Sequence, residues 1–360
     1  GRNFDFYVGD DFAEEKVIAF INPIEGHKFM SVTWGGMIGV VSGMNDQGLT
    51  VTINAGKSKI PLVAKTPISI VTREILQYAA TIEEAIAIAK KRKIFVSEAI
   101  FIGSAKDKRA AVIEMSPDNF GVYEVQNSSQ LICTNHFQSD AYKTDKRNMK
   151  QIAESHSTYR YERMEELLEE EKKINVDAAV AVLRNKEGLE DKFIGYGNEK
   201  ALNQLLAHHS VVFKPESLQV WVSSNPYQLG EFVMYNLNEV FADREGNPSG
   251  VTLSQQQFDV AEDPFVYSED FKNYESYRVL EKQVKEAIET GKTIKPETLM
   301  ELQQKNPEYW KAYYLTGKYY YGKKYRAAAL TAFEKAATKE ITTVPDKEQV
   351  AHYIKKLKRG

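Results

Sequence analysis

A change of hydrophobic period early in the chain constrains the fold more than any other feature. Over residues 1–60, short β-branched and aromatic runs are separated by Gly, Asn and Asp residues, a pattern typical of antiparallel strands. From 66 to 93, apolar residues recur every three or four positions, and Thr81 with Glu84 forms a capping-box pattern, which predicts two helices that meet near Thr81. Strand patterns resume over 99–134. A strand block, a helix pair and a second strand block predict helices packed on antiparallel sheets.

Each predicted strand is a short apolar run bounded by turn residues. A polar helical pattern over 144–183 interrupts the series, and the sheet-forming part of the chain is expected to end near residue 240. The predicted strands are 17–21, 29–34, 38–41, 49–53, 99–103, 110–115, 120–125, 131–134, 210–213, 218–222 and 232–237.

The C-terminal third has a different character. Residues 241–272 lack periodicity, which predicts a linker or wrapping arm between a main domain at 1–240 and a helical extension at 273–360. The extension has small and aromatic residues at the spacings of one tetratricopeptide-type helix pair. One such unit cannot bury its own faces, so it must pack on the main domain, on flanking helices or on a protein partner. The residues that carry this pattern are Gly317, Tyr320, Ala329, Phe333 and Ala336.

Charge and composition exclude several classes of function. A net charge of -3 gives no basic field for nucleic acid, so small molecules or proteins are the expected partners. No apolar run reaches the roughly 18 residues that a membrane span needs. Cys133 is the single cysteine, which excludes an internal disulfide and a multi-cysteine metal site. No phosphate-binding glycine loop occurs, and no cofactor or metal is predicted. The oligomeric state is left open.

Four polar side chains, far apart in the sequence, have the chemistry that amide cleavage by a cysteine needs. Arg2 provides a cation for a thiolate, Asp5 a carboxylate for an amino group, and Asn54 and Asn135 amide donors for an oxyanion. When the cysteine is the first residue of its chain, its own α-amino group, with a pKa of about 8, can accept the thiol proton. A separate histidine base is then not required.

The segments around these residues resemble a known family in their order and spacing. They are Gly1-Arg2-Asn3-Phe4-Asp5, Asn54-Ala55-Gly56, Cys133-Thr134-Asn135-His136 and Tyr159-Arg160-Tyr161. Together they resemble the choloylglycine-hydrolase and penicillin acyl-transferase-like branch of the N-terminal-nucleophile (Ntn) hydrolases. The resemblance covers about residues 1–237. It implies an α+β fold, a four-layer αββα sandwich of two antiparallel sheets between helices, followed here by the helical extension.

The resemblance also implies a role for each polar residue. In this family the nucleophilic cysteine is the first residue of the mature chain, so we expect it upstream of Gly1 and exposed by autoproteolytic processing. Arg2 would contact its sulfur and Asp5 its amino group, while Asn54 and Asn135 would hold the oxyanion. By its residue type alone, an Asn before Ala-Gly such as Asn54 would more often form a turn.

An arginine on a later helix completes the site that the resemblance implies. Arg160 aligns with the arginine that closes the site, and Arg163, one turn on, is the fallback assignment. In a helix rich in Arg and Glu, the ordinary alternative for Arg160 is a solvated ion pair that contributes little to stability.

The function that follows is a cysteine-type amidase or acyltransferase. It would act on linear C–N amides through an acyl-enzyme, with bile-salt conjugates, N-acyl amino acids, penicillin-like amides or small peptides as candidate substrates. Related amidases with such tails favour an extracytoplasmic location. The competing hypothesis is a non-catalytic scaffold that keeps the fold and binds a partner through residues 273–360.

Two further residue groups invite catalytic or metal interpretations. Cys133 lies beside Asn135 and His136, which suggests a cysteine–histidine mechanism, although small buried cysteines are common in strands. His208 and His209 are adjacent, but no carboxylates stand at ligand spacing, so a structural role is favoured over a metal site.

Overall fold

A computed structural model describes the chain except for residues 7, 8, 10, 59–64, 127, 171–173, 243–251 and 360. The strands in this described part are β1 (Arg2–Phe4), β2 (Lys16–Ile21), β3 (Phe29–Trp34), β4 (Ser42–Asn45), β5 (Leu49–Ala55), β6 (Glu98–Ser104), β7 (Arg109–Met115), β8 (Phe120–Tyr123), β9 (His209–Lys214), β10 (Gln219–Ser223) and β11 (Phe232–Asn236). The helices are α1 (Asp11–Glu14), α2 (Ile68–Tyr78), α3 (Ile82–Lys90), α4 (Lys146–Glu154), α5 (Ser157–Glu170), α6 (Val176–Arg184), α7 (Leu237–Val240), α8 (Glu269–Thr290), α9 (Pro296–Lys305), α10 (Trp310–Gly322), α11 (Arg326–Ala337) and α12 (Val344–Arg359).

The chain forms two compact units, each assembled from three segments. The first unit comprises Gly1–Ile152, Leu167–Leu183 and Ala207–Glu262. The second unit comprises Ala153–Glu166, Arg184–Leu206 and Asp263–Gly360. A compact set of contacts does not by itself delimit an independently folding domain, so the division at residues 240 and 272 stays a prediction.

Two antiparallel sheets form the first unit. A four-stranded sheet, here sheet A, has the order β1-β9-β10-β11. A seven-stranded sheet, here sheet B, is a meander in which β2 to β8 follow one another in chain order. Every pair of neighbouring strands in both sheets is antiparallel. The predicted α+β class with two antiparallel sheets is therefore confirmed.

Three buried clusters define the layers of the first unit. Ile75 of α2 and Ile100 of β6 belong to one cluster, which packs the helix pair on sheet B. Met44 of β4 and Val220 of β10 belong to a second cluster, which joins the two sheets. Val180 of α6 belongs to a third, on the opposite face of sheet A. Since side chains alternate between the faces of a strand, each sheet packs on both faces, and the layers follow the predicted order αββα.

The break between the two predicted helices lies at Thr81, as the sequence predicted. Thr81 is the N-cap of α3, and its hydroxyl accepts a hydrogen bond from the backbone N–H of Glu84 at 3.2 Å. The Glu84 carboxylate in turn accepts the N–H of Thr81 at 3.2 Å and that of Ala80 at 2.7 Å. This capping box satisfies N–H groups that the helix itself cannot pair. It separates α2 from α3.

The strand predicted at 38–41 is wrong, because β4 begins at Ser42. Val41, next to β4, accepts the N–H of Ile53 of β5 at 3.1 Å, but the residues before it bond to α2. Val40 donates its N–H to the carbonyl of Ser69 at 2.8 Å, and Thr72 donates its hydroxyl to the carbonyl of Val40. Contacts with the following helix thus override the local β-branched pattern.

The end of the predicted arm lies along the edge of sheet A. Val260 exchanges two backbone hydrogen bonds with Phe232 of β11, at 2.9 and 3.0 Å, and Ser254 bridges to Tyr235. An edge strand that would otherwise expose unpaired backbone groups is partly covered in this way. The part of the predicted arm at 243–251 lies outside the described residues.

Close packing of two antiparallel helices characterises the second unit. Gly317 of α10 lies against the ring of Phe333 of α11, and Phe333 shares a buried cluster with Leu357 of α12. The lack of a side chain at Gly317 lets the two helices approach closely. The tetratricopeptide interpretation of this pair stays a prediction. No helix in the described residues is both long and apolar enough to cross a membrane.

Substitution of Gly317 tests this helix contact. A Cβ atom at Gly317 would lie 2.8–2.9 Å from ring carbons of Phe333, so Gly317→Ala should lower the free energy of unfolding by about 1–3 kcal/mol despite the better helix propensity of alanine. Gly322→Ala is the matched control, because a Cβ there meets nothing within 4 Å. Urea denaturation measures both. Equal stability of the two variants would contradict the packing described.

Candidate active site

The guanidinium of Arg2 lies between the two sheets. β1 holds the backbone of Arg2 in sheet A, opposite Val211 of β9. The side chain reaches sheet B, where Nη1 donates to Ser42 Oγ at 2.7 Å and Nη2 donates to the carbonyl of Ile53. Only 7% of Arg2 is exposed, and its guanidinium lies 4.3 Å from the centre of the Phe4 ring. One residue of the predicted site therefore joins β1 to β4 and β5.

Burial and nearby acidic groups have opposite effects on the pKa of Arg2. Loss of solvent lowers the pKa of Arg2 to about 10, while Asp5, Glu98 and Cys133 act on it electrostatically in the opposite direction. Arg2 stays cationic at neutral pH, because a pKa of about 10 is still well above 7. Asp5, which follows β1, is thus close enough for its charge to stabilise that of Arg2, and its contact with an amino group stays a prediction.

Asn54 and Asn135 lie with Arg2 at the end of β5. The carbonyl of Ile53, just before Asn54, accepts the hydrogen bond from Arg2. The carbonyl of Ala55, just after Asn54, accepts a hydrogen bond from Asn135 Nδ2 at 3.1 Å. The Oδ1 atom of Asn54 is buried and has no hydrogen-bond partner in the described residues. Arg2 and Asn135 therefore bond to the residues on either side of Asn54. The roles of all three residues in catalysis stay predictions.

Asn135 lies on an irregular segment, so the strand predicted at 131–134 is wrong. A buried acid holds this segment in place. The Glu114 carboxylate accepts the N–H of Gln138 at 2.5 Å, and the N–H and hydroxyl of Ser139 at 3.0 and 2.6 Å. Bonds to a side chain replace those of a strand ladder. Glu114 breaks an otherwise apolar strand pattern, and this is the signal in the sequence that could have identified it.

A second side chain holds the same segment two residues beyond Asn135. Asn148 of α4 accepts the N–H of Phe137 at 2.8 Å and donates to the carbonyl of Phe137 at 2.9 Å. Asn148 is 1% exposed. A paired amide of this kind mimics one step of a strand ladder. The backbone on the C-terminal side of Asn135 is therefore fixed by two buried polar side chains from other elements, β7 and α4.

Arg160 and Arg163 belong to the second unit. Arg160 is 8% exposed, and its Nε lies 3.2 Å from Nδ1 of His156. Arg163 is 1% exposed and bonds to Asn185, Glu166 and Asp191. The side chain of Arg160 is thus buried, and this excludes the solvated ion pair that was the ordinary alternative. Its assignment to the catalytic site stays a prediction.

The two adjacent histidines bind groups of the protein. Nε2 of His209 lies 3.0 Å from Ser42 Oγ, and Nε2 of His208 lies 2.5 Å from the carbonyl of Phe6. In the described residues, no group of three or more His, Cys, Asp or Glu side chains is arranged to hold a metal ion.

Glu98 is a site residue that the sequence analysis missed. It begins β6, opposite Ala55 of β5, so it adjoins the segment on which Arg2 and Asn135 converge. Burial raises the pKa of Glu98 to about 7, and the charge of Arg2 partly offsets that effect. No sequence motif identifies Glu98, because it reaches Ala55 only through the pairing of β6 with β5.

The raised pKa of Glu98 predicts a pH-dependent stability. Between about pH 4.5 and 7, Glu98 is protonated in the folded protein but ionised in the unfolded chain. Its contribution favours folding at low pH and is lost as the pH rises through about 7. The difference in unfolding free energy between wild type and Glu98→Gln should therefore change across this range, as measured by urea denaturation at pH 5, 6 and 7. A difference that does not vary with pH would contradict the buried, protonated carboxyl.

The environment of Cys133 predicts an unreactive thiol. Burial and the charge of Glu114 raise the pKa of Cys133 to about 12, against the opposing effect of Arg2. At pH 8 only about one thiol in ten thousand would be ionised, and the thiolate is the reactive form. Iodoacetamide should label Cys133 slowly in the folded protein and rapidly in urea, and Cys133→Ser should leave any amide turnover intact. Loss of turnover with that substitution would instead identify Cys133 as the nucleophile.

Known proteins are similar to this chain in sequence. The family model for acyl-coenzyme A:6-aminopenicillanic acid acyl-transferase matches residues 1–226. An uncharacterized protein of Archaeoglobus fulgidus is 29% identical over 126 residues, which are 34% of this chain and 21% of that protein. The chain thus spans about a fifth of the length of this curated relative.

Two solved structures are also similar. One is an N-acylethanolamine-hydrolyzing acid amidase ortholog from Caenorhabditis elegans, with a TM-score of 0.40 and 16% identity, over 62% of this chain and 85% of that one. The other is a variant of conjugated bile acid hydrolase from Clostridium perfringens, with a TM-score of 0.31 and 10% identity, over 66% and 84% of the two chains. The match of the family model over more than half of the sequence confirms the resemblance. This chain belongs to the acyl-coenzyme A:6-aminopenicillanic acid acyl-transferase family, within the Ntn-hydrolase fold.

Proposed function

We propose that the natural protein is a cysteine-type Ntn amidase or acyltransferase that acts on linear amides through an acyl-enzyme. The nucleophile in this proposal is an N-terminal cysteine upstream of Gly1. The observation that carries it is the convergence of Arg2 and Asn135 on the carbonyls either side of Asn54. This arrangement gathers a buried cation and two side-chain amides at the end of one strand.

The edge of sheet A offers a position from which such a cysteine would reach Arg2. β1 pairs with β9 on one side and is the last strand of sheet A in the described residues. A preceding strand that returned through a hairpin would pair with the other side of β1. Its first residue would then lie beside the backbone of Arg2, close to Asp5.

The reaction would proceed in two steps. The α-amino group of the cysteine takes the thiol proton, and the thiolate attacks the amide carbonyl carbon to form a tetrahedral oxyanion. The cation of Arg2 lowers the energy of the thiolate, and side-chain N–H groups of Asn54 and Asn135 donate to the oxyanion. Collapse breaks the C–N bond, the amine leaves with the proton, and a thioester remains. Water resolves the thioester in hydrolysis, or another amine does so in acyl transfer.

The unpartnered Oδ1 of Asn54 supports a role in binding. A buried acceptor without a donor costs about 1–3 kcal/mol, and in this proposal an N–H group of the nucleophile or of the amide substrate supplies the missing bond. Candidate substrates are bile-salt conjugates, N-acyl amino acids, penicillin-like amides and small peptides. We also propose an extracytoplasmic location and, for residues 273–360, a protein partner.

The decisive experiment uses the natural protein with its residues upstream of Gly1. N-terminal sequencing should find a cysteine at the start of the mature chain, and mass spectrometry of the protein quenched in acid during turnover of glycocholate, penicillin V or an N-acyl amino acid should detect an added acyl group. Asn135→Ala should lower kcat by about a hundredfold to a thousandfold, through loss of an oxyanion donor. Asn238→Ala, at an exposed asparagine, should leave kcat unchanged.

Two results would overturn this proposal. A mature protein whose first residue is not cysteine cannot use this thiol mechanism. A protein that starts with cysteine, binds these amides and forms no acyl adduct would be the non-catalytic scaffold.

A further inference from the structure

Two buried polar side chains, Ser42 and His209, lie behind the guanidinium of Arg2 and form a chain of contacts with it. Arg2 Nη1 donates to Ser42 Oγ at 2.7 Å, and Ser42 Oγ lies 3.0 Å from Nε2 of His209. Ser42 and His209 are both 0% exposed. Ser42 lies on β4 of sheet B and His209 on β9 of sheet A, so the chain of contacts begins in one sheet, crosses to the other and returns.

The chemistry of the groups fixes the direction of the first hydrogen bond, and the tautomer of His209 decides that of the second. A guanidinium can only donate, so Ser42 Oγ accepts from Arg2. The hydroxyl proton of Ser42 is then available to His209 Nε2, provided that this nitrogen carries no proton. Burial, with the charges of Arg2 and Lys16, holds the pKa of His209 well below its usual range. His209 is therefore neutral at pH 7, and in the tautomer that carries its proton on Nδ1 the Nε2 atom accepts the hydroxyl proton of Ser42.

A histidine at position 209 lowers the stability of the fold relative to an apolar residue at the same position. The other ring nitrogen of His209, Nδ1, is buried without a hydrogen-bond partner in the described residues, a loss of about 1–3 kcal/mol. Phe4 and Trp34 pack near the ring, with centroid distances of 5.2 and 6.0 Å. An aliphatic or aromatic side chain in this setting would keep the packing and avoid the unpaired nitrogen. Packing alone therefore does not account for a histidine here.

The position of Arg2 depends on few contacts. Its Nε is also buried without a partner in the described residues, so Nη1 and Nη2 make the hydrogen bonds that orient the guanidinium. The bond from Nη2 ends on the backbone of β5, which no side-chain substitution removes. The bond from Nη1 ends on Ser42, whose hydroxyl can rotate. An acceptor at His209 removes that rotational freedom.

We propose that Ser42 and His209 are positioning residues, which hold the guanidinium of Arg2 towards the end of β5 where the nucleophile acts. His209 fixes the hydroxyl of Ser42 so that an oxygen lone pair faces Arg2. This inference rests on the proposed function, because it assigns Arg2 to the stabilisation of the nucleophilic thiolate. It adds two residues that touch neither substrate nor sulfur.

A matched pair of variants at His209 separates the acceptor from the packing. His209→Gln keeps a strong acceptor, whereas His209→Met is similarly long and unbranched but accepts hydrogen bonds only weakly. Ser42→Ala removes the middle member of the chain, and Ser42→Thr retains its hydroxyl. All are made in the natural-length protein with Cys133→Ser, so that the N-terminal cysteine is the thiol that reacts.

Three measurements are made on each variant: kcat and KM for the amide substrate, the rate of iodoacetamide alkylation of the N-terminal thiol, and the urea midpoint. Loss of the hydrogen-bond partner behind a metal ligand typically costs about 10- to 100-fold in affinity or activity, and we expect a loss of similar size behind Arg2. His209→Met and Ser42→Ala should lower kcat and the alkylation rate by about tenfold to a hundredfold, with KM changed less than threefold. His209→Gln and Ser42→Thr should recover most of both losses.

The outcomes distinguish this inference from the proposed function. An active wild type with unchanged kcat and alkylation rate in His209→Met and Ser42→Ala would overturn the positioning role and leave the amidase proposal standing. Equal losses in His209→Gln and His209→Met, in parallel with the urea midpoint, would mean that packing alone matters and would also overturn it. A wild type without turnover would overturn the function and this inference together. If Ser42→Ala fails to fold, the pair at His209 decides.

Discussion

The two sheets of the first unit pack around a buried cation, the guanidinium of Arg2. Burying an unpaired charge is strongly unfavourable, and Arg2 is 7% exposed between two sheets. The cost of burying this charge is reduced because Ser42 and the carbonyl of Ile53 accept hydrogen bonds from Arg2, and because acidic groups lie nearby. These partners belong to β4 and β5, so the guanidinium constrains how sheet A lies on sheet B. Apolar clusters fill the space between the sheets, but they do not specify one alignment as the directional bonds of Arg2 do.

Much of the fold could be predicted because it depends on local patterns. The strand over Phe29–Trp34 and the break between α2 and α3 both follow from signals contained in a few adjacent residues. The capping pattern at Thr81 is an example, since the two groups that pair are three residues apart. The packing of helices on antiparallel sheets followed from the alternation of these elements, while the four-layer order was implied by the family resemblance. The family resemblance, in contrast, depended on the order of short polar segments and not on any hydrophobic period.

The errors occur where contacts between distant residues decide the backbone. The run at 38–41 bonds to α2, and the segment around Asn135 is held by Glu114 and Asn148. Neither arrangement leaves a local pattern, because the groups that pair lie 11 or more residues apart in the sequence. Glu98 was missed for a related reason. Only the pairing of β5 with β6 brings it beside the converging side chains.

The distribution of unpaired buried atoms gives a reason to regard this region as functional. Folded proteins pair nearly all buried polar atoms, yet Arg2 Nε, Asn54 Oδ1 and His209 Nδ1 are all without partners in the described residues. Arg2 contacts the residue before Asn54, and Ser42 links it to His209, so the three atoms belong to one neighbourhood. Each lowers stability, and selection for stability alone would replace them with apolar or paired groups. Sites that bind a reacting group retain such costs because the ligand supplies the missing partners. Residues that make sheet A and sheet B fit together therefore also leave buried polar atoms unpaired, as the proposed function requires.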